Sequence, residues 1–177
     1  MADFIKTLGG TSALSDGGGE AWSNVTRILT LDGSFANSDI SKNDVSQYAK
    51  SYNFNFGIEE DATINGIIMR LTRKGENSDI TDTQVYLMDT AQSAKGSNYA
   101  KGETWSGVVS SSYGGVSDLW GTSWSVSDIN NANFGAMVEA SNGNGSSARR
   151  AEIDYIEISI YYSRPEVTPM MLNMGAF

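Results

Sequence analysis

The 177-residue chain has no cysteine and no histidine, and only two of its residues are proline. Without cysteine there is no disulfide framework, so the fold must hold through its core alone. Zinc sites of the usual Cys/His kind are excluded. So are hydrolases that rely on an imidazole base beside a serine or cysteine nucleophile. Positive charge is scarce: 12 Lys and Arg stand against 21 Asp and Glu, a formal net charge of −9. Such a surface repels phosphate backbones and anionic lipid, which argues against nucleic-acid and membrane partners. No basic cluster exceeds the length of Arg149-Arg150. No apolar stretch approaches the roughly 20 residues that span a bilayer. Residues 1–10 lack the apolar core of a secretory signal, so the expectation is synthesis in a cytoplasm without export by the general route.

What the chain does contain suits strands. Apolar residues make up 40%, and 19 glycines fall with Ser, Asn and Thr between short apolar runs. Residues 25–31 form a first candidate strand, closed by the Asp32-Gly33 turn signal. Tyr48, Tyr52, Phe54 and Phe56 fall on alternate positions, as one buried strand face should. Over 64–73, Ile67, Met69 and Leu71 would face inward. Residues 85–88 and 134–140 are further candidates. Ser125 and Ser127 with Asp128 suit the cap of one short helical turn before Ile129. The clearest strand is the last, over 151–162. There Ile156, Ile158, Ile160 and Tyr162 share one face, and Glu157, Ser159 and Tyr161 the other. The expected fold is all-β: a two-sheet antiparallel β-sandwich, jelly-roll-like, with another Greek-key sandwich as second choice. Residues 1–20 are expected as an N-terminal arm, 21–164 as the sandwich and 165–177 as an apolar C-terminal arm.

Candidate chemistry is thin. A glycosidase needs two carboxylates about 5 to 9 Å apart, and Glu139 with Glu157 is the least poor pair, although a solvated face explains both. Gly17-Gly18-Gly19 lacks the Lys-Ser/Thr of a phosphate loop and reads as a hinge. Asp82 and Asp154 are expected to accept backbone hydrogen bonds at sheet corners, and with Asp79 they are the residues that would suit calcium. Trp105, Trp120 and Trp124, with Tyr99 and Tyr113, either plug the sandwich end or stack on sugars. The arms are the more distinctive feature. Phe4, Ile5 and Leu8 give one apolar end; Met170, Met171, Leu172, Met174 and Phe177, after Pro165 and Pro169, give the other. Burying about four such side chains contributes roughly 1.5 to 3 kcal/mol each before ordering costs.

Several strings recur in a familiar order. Trp22-Ser23-Asn24 leads to Leu31-Asp32-Gly33, then Tyr52-Asn53-Phe54-Asn55-Phe56-Gly57-Ile58 and Ala62-Thr63-Ile64-Asn65-Gly66. Later come Ile80-Thr81-Asp82, Tyr113-Gly114-Gly115, Asp118-Leu119-Trp120-Gly121, Asn133-Phe134-Gly135 and Ile153-Asp154-Tyr155-Ile156. This series resembles a β-sandwich domain of tailed-phage virion structural proteins and related bacterial surface proteins. The resemblance covers 22–162 and implies an architectural role with no catalytic residues. The expectation is therefore a non-enzymatic phage virion structural protein on the particle exterior, without a cofactor. Within that class a capsid decoration or cement protein comes first, trimeric and bridging capsid subunits. Its partners would be the major capsid protein or other virion proteins, engaged through the two arms. The alternative is a tail or fibre component with a receptor- or carbohydrate-binding role, carried by Tyr113 and Trp124.

Overall fold

Alternation of isoleucine with polar residues builds the longest strand, β10 (Arg149–Arg164), around which one sheet is assembled. In a computed structural model of the chain, the described residues are 2–143 and 145–166. Before β10 come β1 (Ala2–Gly9), β2 (Ser12–Asp16), β3 (Ala36–Ile40), β4 (Tyr48–Tyr52), β5 (Thr63–Gly75), β6 (Ile80–Met88), β7 (Ala94–Lys95), β8 (Val109–Gly115) and β9 (Gly135–Asn142). One short helix, α1 (Val126–Asn130), precedes β9.

The strands form two antiparallel sheets packed as a sandwich. The first has the order β1-β10-β5-β8, with β3 also pairing β10; the second has the order β2-β4-β9-β6-β7. Register in the first sheet sets Ile156 against Leu71, Ile158 against Met69 and Ile160 against Ile67. All six are fully buried. They meet Val85, Leu87, Ala136 and Val138 of the facing sheet, also fully buried. Burial of each large side chain contributes about 1.5–3 kcal/mol. A β-bulge at Asp154 interrupts the β10–β5 register and turns that carboxylate out of the alternation. It accepts the backbone N–H groups of Asp32 (3.3 Å) and Gly33 (3.2 Å), pinning the loop that enters β3.

Four local expectations need correction. Residues 25–31 are not a strand: Val25–Ile28 is a 3-10 turn, because Asn24 adopts a left-handed conformation (φ 54°) that turns the chain. Phe54 and Phe56 are buried on one side as expected, but outside any strand. Left-handed Asn53 and Asn55 (φ 60° and 55°) produce the alternation, and the two rings stack 5.6 Å apart. Residues 2–16 are not a free arm. β1 pairs β10 from Ala2–Arg164 to Gly9–Glu157, and β2 pairs β4, so this segment contributes a strand to each sheet. Nor does Gly17-Gly18-Gly19 act as the hinge of a free arm, since β2 before it pairs β4 and the adjoining Glu20 bridges Ser46. The capping signal, by contrast, works as read. Ser125 Oγ accepts from Asp128 N–H and the Asp128 carboxylate accepts from Ser125 N–H, both at 3.0 Å.

Two glycines in left-handed conformations separate strain from crowding. At Gly114 (φ +80°) a Cβ would collide with the Ile67 carbonyl oxygen, whereas at Gly33 (φ +79°) it would meet nothing within 4 Å. Each Ala replacement should carry about 1–2 kcal/mol of backbone strain. Gly114→Ala should add a steric cost and lower the melting temperature by roughly twice as much as Gly33→Ala, at about 2–4 °C per kcal/mol. Equal shifts in calorimetry would show that the β5–β8 contact is not close-packed.

Candidate functional site

The loop-rich segment between β7 and α1 closes one part of the sandwich by building polar anchors under aromatic rings. Asp118 accepts from the Tyr99 hydroxyl and from Trp120 N–H, each at 2.7 Å. That grip holds Trp120 in a left-handed conformation (φ 61°), with its indole N–H donating to the Ile67 carbonyl at 3.0 Å. Tyr99 lies over the Trp120 ring at 4.4 Å. A second anchor is Asp82, buried, which accepts from Lys101 N–H at 2.7 Å and from the Trp105 indole at 3.4 Å. Arg73, only 1% exposed, lies over Trp105 and donates to Ser111 Oγ at 3.0 Å. Beside this group the Tyr113 hydroxyl is buried without a hydrogen bond of normal geometry.

These rings are therefore part of the interior. Tyr113 is 1% and Trp124 7% exposed, which removes the stacking platform expected for a sugar-binding surface. Trp124 packs edge-on against Phe134 at 5.3 Å, donates to the Leu119 carbonyl and carries the Lys95 ammonium over its ring. Glu139 and Glu157 do not assemble as a pair: β9 and β10 belong to opposite sheets, and both carboxylates point away from the shared core. Burial raises the Glu139 carboxyl against the pull of its Gln84 hydrogen bond, and Glu157 is ion-paired with Arg70. Asp79 pairs with Arg149 at 2.7 Å, while Asp82 and Asp154 accept main-chain N–H groups as expected. No cluster of three acidic or other metal-ligating side chains occurs among the described residues.

The apolar residues at the start of the chain divide between two faces. Phe4 and Leu8 turn toward the core, Phe4 stacking on Tyr162 at 5.4 Å. Ile5 points outward and is 62% exposed, opposite Tyr161 in the register. Met170, Met171, Leu172, Met174 and Phe177 lie outside the described residues. Near Arg164 a hollow of about 640 Å³ opens between Phe4, Ile5, Ile64, Val116, Leu119 and Tyr162. Ile64 also lines a neighbouring cleft of about 840 Å³, with Glu60, Trp124 and Asn131 around it. Farther along the same sheet, Leu31, Val108, Val109 and Tyr155 frame a third hollow of about 420 Å³.

Among the described residues, six large hydrophobic side chains are exposed, and five of them, Ile5, Leu31, Val108, Val109 and Val116, line the hollows along this one sheet. Between them the outer face carries small and polar residues together with the Arg70–Glu157 ion pair, which also lines the third hollow. Thr7, Ser159, Ile68 and Gly114 run across β1, β10, β5 and β8. The concentration was not apparent from sequence, where Leu31, Val108 and Val116 lie in separate loops along the chain. No family model matches the chain, and no curated protein or solved structure matches it either.

Two measurements test the anchors. The Tyr99 hydroxyl, bonded to Asp118, and the Tyr113 hydroxyl, buried beside the Asp82 charge, are both pushed up to about 12 from 10. A raised folded-state value contributes stability that is complete below pH 10 and lost as pH rises through about 12. The urea midpoint should fall across that window, and less steeply in the Tyr99→Phe, Tyr113→Phe double variant; an identical fall would count against the assignment. Separately, Asp82→Ala strands two N–H donors and should cost about 3 kcal/mol, whereas Tyr113→Phe removes an unpaired hydroxyl and should change stability by less than about 1 kcal/mol. Reversal of that order in urea denaturation would exclude Asp82 as the anchor.

Proposed function

We propose that the chain is a non-enzymatic structural protein of a tailed-phage particle, carried on the exterior as a capsid decoration or cement protein. The facing strand orders β3-β10-β5-β8 and β4-β9-β6-β7 are read here as a jelly roll with β1 and β2 added. The observation that carries the proposal is that five of the six large hydrophobic side chains exposed among the described residues line two hollows along one sheet, the second of them edged by the Arg70–Glu157 ion pair. Surface patches of this kind mark contact sites more often than isolated apolar residues do. The residues that would serve enzymatic or sugar-binding readings are used up internally or set on opposite faces. The acidic surface fits a protein partner better than nucleic acid or anionic lipid.

In this reading the sheet face turns toward the major capsid protein, with Leu31, Val108 and Val109 at the contact. A homotrimer is the proposed oligomer, made in the host cytoplasm and added to the particle. Its role is mechanical: a stiff body lies across a joint between capsid subunits and resists their separation. Electron cryomicroscopy of the intact particle should place the chain on the outer capsid surface, with Leu31 and Val108 against it. Density in the tail or fibres, or an orientation with those residues facing solvent, would overturn the assignment.

A further inference from the structure

We propose that the outer edge of β8 pairs antiparallel with β8 of a second copy of the chain, joining their first sheets into one. From Val109 to Gly114 the strand pairs β5 on one side, and none of these residues exchanges a main-chain hydrogen bond with any other described segment. Main-chain groups along the other side are left to solvent, a template on which a further strand can form. Edge strands are usually blunted by charge, by proline or by being short. β8 has none of these devices: its seven residues read Val-Ser-Ser-Ser-Tyr-Gly-Gly. The other outer strands are protected. β1 carries Asp3 and Lys6, β3 carries Asp39, β2 ends on Asp16, and β7 is two residues long.

The edge fits a copy of itself. Each chain carries a formal charge of −9, so two copies repel wherever their acidic surfaces meet. Residues 104–117, with β8 among them, are the longest run of the chain without a charged side chain. By the register, Val109, Ser111 and Tyr113 stand level with Arg73, Leu71 and Met69, and Ser110 and Ser112 with Thr72 and Arg70. Opposed residues of an antiparallel pair share a face, so a two-fold axis at Ser111 keeps the alternation of both copies. Val109 then lies against Tyr113 of the other copy and Ser110 against Ser112, with no like charges opposed. Val109, 41% exposed at this edge, gains cover from the incoming strand. One such edge per chain closes the contact at two copies. The pairing does not depend on the capsid role. A two-fold pair cannot complete a ring of three, so in the assembly proposed above it joins copies of neighbouring trimers. Contact along strand edges alone falls below the roughly 1,200 Å² of a standard interface, which makes the pair weak and dependent on concentration.

The chain has no cysteine of its own, so introduced thiols report this contact alone. Full-length Ser110→Cys and Ser112→Cys chains, each substituted at an exposed position, are mixed in equal amounts at about 1 mM and oxidised without capsid present. Opposed Cα atoms in such a pair lie about 4.5–5.5 Å apart, within reach of a disulfide. The expected product is the mixed dimer, identified by mass and in excess of the share that random encounter gives. A random share would overturn the two-fold register, and no cross-linking would exclude the edge. A second variant, Ser110→Glu with Ser112→Glu, sets like charges opposite one another between copies while placing one carboxylate beside Arg70. It should keep the melting temperature and weaken self-association by about tenfold or more in sedimentation. Unaltered association, or an original chain that is wholly monomeric at the same concentration, would overturn the pairing. Because these readouts involve only the purified chain, they can fail while the capsid location stands, and the reverse also holds.

Discussion

The register between β10 and β5 is the constraint on which the remaining structure depends. Ile156, Ile158 and Ile160 face the core only if they stay level with Leu71, Met69 and Ile67. A slip of one residue would expose the isoleucines and bury Glu157 and Ser159, because side chains alternate strictly along a strand. The bulge at Asp154 absorbs the one place where alternation and loop geometry conflict, and it uses the displaced carboxylate to hold residues 32 and 33. β1, β3, β5 and, through β5, β8 take their positions from that one strand. With no disulfide available, side-chain fit and these ladders must hold the sandwich together.

Aromatic rings fill what the sheets leave open. Trp105 and Trp120 are each fully buried, and each has its indole N–H answered, by Asp82 and by the Ile67 carbonyl. Asp118 and Asp82 act as small rigid posts under loops that have little regular secondary structure. Loops held in this way behave as extensions of the core, which explains why residues that could have served as a sugar platform are enclosed instead. Apart from Leu14, the large hydrophobic side chains left exposed among the described residues line hollows along one sheet.

Strands with strict alternation were legible from the residues alone: β10 and β5 follow the isoleucine and methionine pattern closely. Where alternation arose from another cause, it misled. Asn53 and Asn55 reproduce a period of two by left-handed turns, so Phe54 and Phe56 mimic a strand they do not belong to. β1 escaped notice for the opposite reason. Lys6 sits on the same side as Phe4 and Leu8, its ammonium reaching the Gly57 carbonyl, and it breaks the apolar period. β2 is serine-rich and carries no pattern at all. The hollow beside β1 could not be read in advance, since Ile5, Ile64 and Val116 are far apart in sequence and meet only through sheet pairing. Individual anchors were easier, because a buried aspartate beside a turn announces its own hydrogen bonds.

The pairing of Ala2 with Arg164 has a mechanical side. The two strands run antiparallel and meet at one end, so tension between these two points would peel β1 from β10 one rung after another, a weak mode of resistance. Tension on residue 164 with the sheet face held fixed is different. β10 is flanked by β5 on one side and by β1 and β3 on the other, and all those rungs would be loaded together in shear. A body gripped by its sheet face and pulled through its last strand is thus far stiffer than the same body pulled by its two ends.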